Sequence, residues 1–177
     1  MELAGQILSI FGMAVNISSY QLKKQRSIIF MQFLAALLFC LSFFLTGAIT
    51  GALINAVSVG RGLVFANKKF FHADKIGWVF GFIAAYIIMF VLNFAVFGTE
   101  LTAHNFIIEI IPVIGTVAFT VGFYLKDAKT VRKLALVNSP CWLIYDIIVF
   151  NIGGIICEVI SLFSIVIGMF RHDIKKQ

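Results

Sequence analysis

Residues 3–170 are a succession of long apolar runs, broken only by short charged or glycine-bearing segments. That pattern decides the class. A soluble domain is about 45–50% apolar and about 25% charged. This chain of 177 residues is 61% hydrophobic and 12% charged, with 20 Phe. A soluble globular domain is excluded, and so is a disordered chain. An outer-membrane barrel would show weak alternating segments of about ten residues, whereas these runs are continuous. The expected class is an all-α membrane protein.

A membrane-crossing helix needs about 20 residues. Charge and turn residues divide the chain into seven such spans, at 3–20, 27–46, 48–67, 76–97, 105–125, 134–150 and 152–170. The loops left over are short, so residues 1–177 read as a single integral membrane domain with no room for a soluble catalytic one. Only Thr46-Gly47 separates the second and third spans, and only the region of Asn151 separates the sixth and seventh. Both are tight reversals, hence antiparallel neighbours. The start Met1-Glu2-Leu3 has no basic stretch and no small-residue cleavage pattern. The first run is therefore expected to be a retained helix and not a signal peptide.

The formal charge is +6. In a soluble protein this would raise nucleic-acid binding, but here the basic residues sit between apolar runs and report topology. Lys23, Lys24 and Arg26 follow the first span; Arg61, Lys68, Lys69 and Lys75 lie at or after the end of the third. Lys126, Lys129, Arg132 and Lys133 follow the fifth, and Arg171, Lys175 and Lys176 the seventh. All 14 fall on one side of a seven-span arrangement, while the other side holds Glu2 and Glu100. The positive-inside rule then places the N-terminus outside and the C-terminus in the cytoplasm.

The chain also repeats. A constant offset puts Gly12 on Gly115, Leu22 on Leu125, Lys23 on Lys126, Arg26 on Lys129 and Ser27 on Thr130. The same offset puts Phe39 on Trp142, Ile49 on Ile152, Gly51 on Gly154, Asn55 on Glu158 and Ser58 on Ser161. The reading is a three-helix unit (3–67), a linker helix (76–97) and a second three-helix unit (105–170). An odd linker gives both units the same orientation, a parallel repeat about an axis along the membrane normal.

Polar residues inside a bilayer cost energy and need a reason. Gly51, Asn55, Ser58 and Gly62 share one helical face of the third span, as Gly154, Glu158 and Ser161 do in the seventh. They either line a cavity or, for the glycines and serines, allow close helix packing. Small-residue packing does not require a carboxylate, so Glu158 is the stronger functional candidate. Glu158 lies about 9 Å in from the outer end of its span, Asn55 at similar depth, and Trp142 near the middle of the sixth. Together they offer a stacking surface and two hydrogen-bonding groups near the midplane, where repeat transporters bind. Core packing is the alternative for Trp142. Asp146 shares a face with Trp142, and Glu109 is one turn into the fifth span. Either acid could line an outer mouth or bond at headgroup level. Pro112 and Pro140, the two prolines, each remove an intrahelical bond and are candidate hinges or static kinks. Gly47-x-x-x-Gly51 and Gly77-x-x-x-Gly81 fit small-residue packing. Asn16, Thr116, Thr120 and Asn138 are expected interhelical hydrogen bonders.

Enzymatic, metal and cofactor chemistry find no foothold. The seventh span has no Lys for a retinal Schiff base, and no span holds a His for haem. His72 and His172 fall in cytoplasmic segments and His104 at the outer boundary, none with metal-ligand company. Asp146 has no second intramembrane Asp for proteolysis. No Ser/His pair is set for nucleophilic catalysis, and there is no phosphate-binding glycine loop. Cys40, Cys141 and Cys157 lie inside apolar runs without a C-x-x-C and read as small packing residues.

The stretch Glu109-Ile110-Ile111-Pro112-Val113-Ile114-Gly115-Thr116, with Cys141-Trp142-Leu143-Ile144, Ile152-Gly153-Gly154 and Glu158, resembles the YgjV-type bacterial inner-membrane proteins. Ala52-Leu53-Ile54-Asn55-Ala56 resembles that family's third helix. More distantly, the three-one-three layout is similar to SWEET sugar transporters and PQ-loop proteins. Trp142-Leu143-Ile144-Tyr145 matches the SWEET Trp-x-x-Tyr, and Asn55 matches one member of the Asn pair that holds the sugar. Glu158 stands in place of the other Asn, Asp146 in place of the Gly after the Tyr, and neither proline precedes Gln. The resemblance implies the fold and the position of the pocket.

The expectation is a multi-pass carrier in a bacterial inner membrane that moves a small polar solute by rocking its two halves. Trp142, Asn55 and Glu158 would bind the solute, and protonation of Glu158 could couple to transport. The alternative is a non-transporting partner or sensor subunit held by helix packing. The lipid bilayer is the expected surrounding partner, and a homo-oligomer is open.

Overall fold

The computed structural model describes residues 2–174 apart from 48, 126, 149 and 151. Met1, Lys126, Lys175, Lys176 and the Asn151 reversal lie outside the described residues. Among those described the chain is helical throughout: α1 (Glu2–Ser19), α2 (Gln25–Thr46), α3 (Ile49–Ala66), a single turn α4 (Lys68–Phe71), α5 (Gly77–Ala95), α6 (Ala103–Tyr124), α7 (Ala128–Ile148) and α8 (Ile152–Met169). A wider π-helical turn, Phe170–Ile174, extends α8.

Local chemistry sets several boundaries. Gly47 ends α2 in the left-handed region (φ 79°), with its N–H returned to the carbonyls of Phe43 and Phe44. Thr102 caps α6, its hydroxyl accepting from the Asn105 N–H at 3.1 Å. Asp127 does the same for α7, accepting from the Thr130 N–H at 2.6 Å and the Thr130 hydroxyl at 2.7 Å. This cap starts α7 well before the expected boundary at Leu134. The charged segment of Lys129, Arg132 and Lys133 is therefore the first turns of a helix and not a loop.

Helices α1, α2 and α3 pack in sequence, as do α6, α7 and α8, and α5 bridges α3 to α6. The two groups meet where α1 touches α8, α3 touches α6 and α2 touches α7. Two glycines at equivalent places draw the first pair of each group together. A Cβ on Gly12 would stand 3.3 Å from Leu38 Cβ, and one on Gly115 would stand 2.8 Å from Cys141 Cβ. The expected pair Gly77 and Gly81 behaves otherwise. Among the described residues nothing lies within 4 Å of a Cβ at either position, so neither packs against a described neighbour.

The connections carrying the basic residues converge on one end of the bundle. Lys68 Nζ donates to the Tyr124 carbonyl at 2.9 Å, and Gln25 Nε2 donates to the Leu125 carbonyl. Arg132 Nη1 reaches the Leu22 carbonyl at 2.9 Å, and His172 Nε2 meets the Gln21 carbonyl at 2.8 Å. The main apolar core fills this end with Tyr20, Ile28, Phe65, Phe123, Val131 and Ile165.

Polarity is inverted relative to a water-soluble bundle. Phe80, Ile88, Val91 and Phe163 are exposed, while Asn16, Gln32, Arg61, Asp146 and Ser161 are buried. Among the described residues four helices are long and apolar enough to cross a membrane: Gln25–Thr46, Gly77–Ala95, Ala103–Tyr124 and Gly153–Asp173. Leu3–Ser19 and Gly51–Ala66 are shorter apolar helices. The 21-residue α7 is long enough, at about 32 Å. It is less apolar because Lys129, Arg132, Lys133 and Asp146 lie within it.

Candidate functional site

A polar cavity of about 130 Å³ lies where the two helix groups meet. Of the residues expected to bind the solute or line its mouth, Asn55, Trp142, Asp146 and Glu158 line it. They come from three helices, α3, α7 and α8. Asn55 Nδ2 donates to the Gly51 carbonyl of its own helix at 2.9 Å. Ser139 on α7 donates to Glu158 Oε2, joining α7 to α8. The Trp142 ring meets Tyr145 edge-on at 5.9 Å. The buried Asp146 carboxylate rests against Gly154, where any Cβ would overlap it. In the first group Gly51 makes the corresponding room, a Cβ there standing 2.9 Å from the Phe43 ring.

Glu109 is not among the lining residues, and its Oε2 is buried without a hydrogen-bond partner. The helices α6 and α7 run through Pro112 and Pro140 without interruption. Pro112 is buried, and its carbonyl accepts from the Thr116 hydroxyl at 2.8 Å. Of the expected interhelical bonders, Asn16 donates to Ser161 at 3.0 Å and accepts from Gln32 at 2.7 Å. Thr116 and Thr120 donate within α6, and Asn138 leaves its Oδ1 unpartnered at the cavity wall.

The cavity also holds a residue that the sequence reading placed with the loop charges. Arg61 lies inside α3 and is 5% exposed. Its Nη1 donates to the Thr116 carbonyl at 3.2 Å and to the Thr120 hydroxyl at 3.1 Å. The guanidinium carbon sits 4.6 Å from the Phe123 ring centre, 5.3 Å from Phe119 and 6.0 Å from Tyr86. Arg61 therefore stands at the cavity floor, on the packed basic end. The signal available in the sequence was its spacing from Asn55 and Ser58, which puts all three on one face of α3. Arg132, also expected among the loop charges, lies within a helix. It is buried in α7 and grips Asp173 with Nε at 2.8 Å and Nη2 at 2.5 Å.

Opposite the basic end the cavity adjoins a wider recess of about 730 Å³, which shares Ser9, Phe43, Trp142, Asp146 and Gly153 with it. Gln6, Thr46, Gly51 and Gly153 line the recess, all from helix ends remote from the basic connections. Asp146 and Trp142 thus stand between recess and cavity, and Arg61 below. The three cysteines are unpaired. Among the described residues no three His, Cys, Asp or Glu side chains come together as a metal site.

No curated protein and no solved structure matches the chain. The family comparison does, and over nearly the whole length that builds this apolar bundle and its polar interior. Residues 3–176 match the model of the Imp-YgjV bacterial inner membrane proteins, and the chain belongs to that family.

Proposed function

We propose that the protein is an inner-membrane carrier for a small polar solute, working by alternating access. The observation that carries this reading is the asymmetry of the bundle's interior. A polar cavity is packed shut by apolar side chains at the basic end and runs into a recess at the other. A subunit held only by helix packing has no need of a buried cavity lined by Asn55, Asp146, Trp142 and Glu158.

The carrier is read as seven spans in a three-one-three order, N-terminus outside and basic end in the cytoplasm. The paired contacts of the two helix groups support a repeat: α1 with α8 answers α6 with α3. Gly12 against Leu38 answers Gly115 against Cys141, and Gly51 against Phe43 answers Gly154 against Asp146. Rocking the two groups against each other would open the basic end and close the recess. Pro112 and Pro140, each lacking one backbone donor, are the proposed hinges.

Glu158 is the proposed proton-coupling group. The test is uptake into proteoliposomes of a panel of sugars, amino acids, organic acids and polyamines, at two pH values. Uptake of one class, lost in Trp142→Ala, is expected, with Glu158→Gln flattening the pH dependence. Uptake of no class would remove the carrier reading. Unchanged pH dependence in Glu158→Gln would remove the coupling alone.

A further inference from the structure

We propose that Arg61 is the anion-binding group of the cavity and that the solute it receives carries a carboxylate. The inference rests on the carrier reading for its purpose and on the geometry of one side chain for its chemistry.

A guanidinium keeps its proton in protein settings and offers five N–H donors in a planar fork. Deep in an apolar bundle such a charge is costly unless paired. This fold contains an internal standard for how a structural Arg is satisfied. Arg132 makes a two-pronged pair with Asp173 and adds the Leu22 carbonyl. Arg61 is also hidden from solvent but has no ion pair among the described residues. Both of its hydrogen bonds come from Nη1 and go to neutral oxygens, of Thr116 and Thr120. Its buried Nε has no acceptor, and no described residue accepts from Nη2. Nε is enclosed by protein, and Nη2 is the donor left for a ligand, on a side chain that lines the cavity.

The surroundings fix the guanidinium rather than neutralise it. Phe119, Phe123 and Tyr86 flank its plane and compensate part of the charge. The two acids on the same cavity wall are held elsewhere, Glu158 by Ser139 and Asp146 against Gly154. A carboxylate supplies what Arg61 lacks, a charged acceptor for Nη2 and a countercharge for the guanidinium. The acids also narrow the choice. A doubly charged phosphate would share the cavity with Asp146 and Glu158 and be repelled more than a singly charged carboxylate. The cavity has room for about four waters, so the solute is small.

The experiment is thermal unfolding of the full-length protein in detergent, at matched ionic strength. The probes are acetate, lactate and glycine, their amides acetamide, lactamide and glycinamide, and inorganic phosphate and glucose. At least one carboxylate should raise the midpoint while its amide does not. The shift should vanish in Arg61→Gln and need about tenfold more ligand in Arg61→Lys, which keeps the charge but loses the fork. If Arg61→Gln fails to fold, the acid-against-amide comparison in the unaltered protein decides alone. Amides or phosphate matching the carboxylates, or no carboxylate giving a shift, would overturn the assignment. Carboxylate binding without uptake into proteoliposomes would preserve the site and remove the carrier. Uptake of a neutral solute without carboxylate binding would do the reverse.

Discussion

Gly168 and Gly81 show how differently one residue type can be used within this chain. The Gly168 backbone faces the Tyr20 carbonyl oxygen so closely that a Cβ would overlap it, with Arg132 Cδ only 3.2 Å away. A backbone oxygen cannot rotate aside as a side-chain end can. Gly168→Ala is therefore expected to push α8 from α1 and destabilise the fold by about 1–3 kcal/mol. Gly81→Ala meets open space and gains helix propensity worth up to about 1 kcal/mol. Denaturation of the two variants side by side in detergent should move the midpoint in opposite directions. The sequence pairs Gly77 with Gly81 as a packing motif and passes over Gly168. Spacing reveals which residues are small, but which of them faces a neighbour is set by the rotation of the helix.

At the level of the element, α7 shows where local chemistry and hydropathy part. Its first turns are charged, so hydropathy reads them as a loop. The Asp127 carboxylate nevertheless captures the Thr130 N–H and starts the helix. Burial alone would raise the Asp127 carboxyl, but the Thr130 hydrogen bonds and the nearby Lys129 and Lys133 outweigh it and hold it below its ordinary range. Its stabilisation is then complete above the unfolded value near 4 and lost as pH falls through the folded one. Asp127→Ala should cost about 1 kcal/mol at neutral pH and abolish that part of the acid dependence, read from unfolding at a series of pH values. The Arg132–Asp173 pair ties the start of α7 to the end of α8. Arg132→Ala leaves Asp173 buried and unpaired and should cost about 3–5 kcal/mol, again by unfolding midpoint. Apart from the single turn α4, which falls in an expected loop, the remaining helices lie within a few residues of their expected bounds. The helix expected at 27–46 is Gln25–Thr46, and the helix expected at 105–125 is Ala103–Tyr124.

For the whole molecule the central prediction is sidedness. The basic connections gather at one end, and the proposal puts that end in the cytoplasm. In a variant whose three native cysteines are Ser, Glu100→Cys should react with a membrane-impermeant maleimide on intact cells. Lys69→Cys should react only after permeabilisation, and the opposite labelling would invert the orientation. The apolar runs and the one-sided charge could be read directly because each is a sum over neighbouring residues, judged by the bilayer against length and polarity alone. That much the sequence determined by itself: an all-helical membrane protein, most helix boundaries, and four of the residues around its cavity. Tertiary structure alone decided which polar groups share one space. It brought Asn55, Asp146, Trp142 and Glu158 together from three helices, left Glu109 outside, and turned Arg61 from an apparent loop charge into the cavity floor. The reason is physical. Whether a side chain on a helix points inward depends on how that helix is rotated and what packs beside it, and those contacts come from residues distant in the chain.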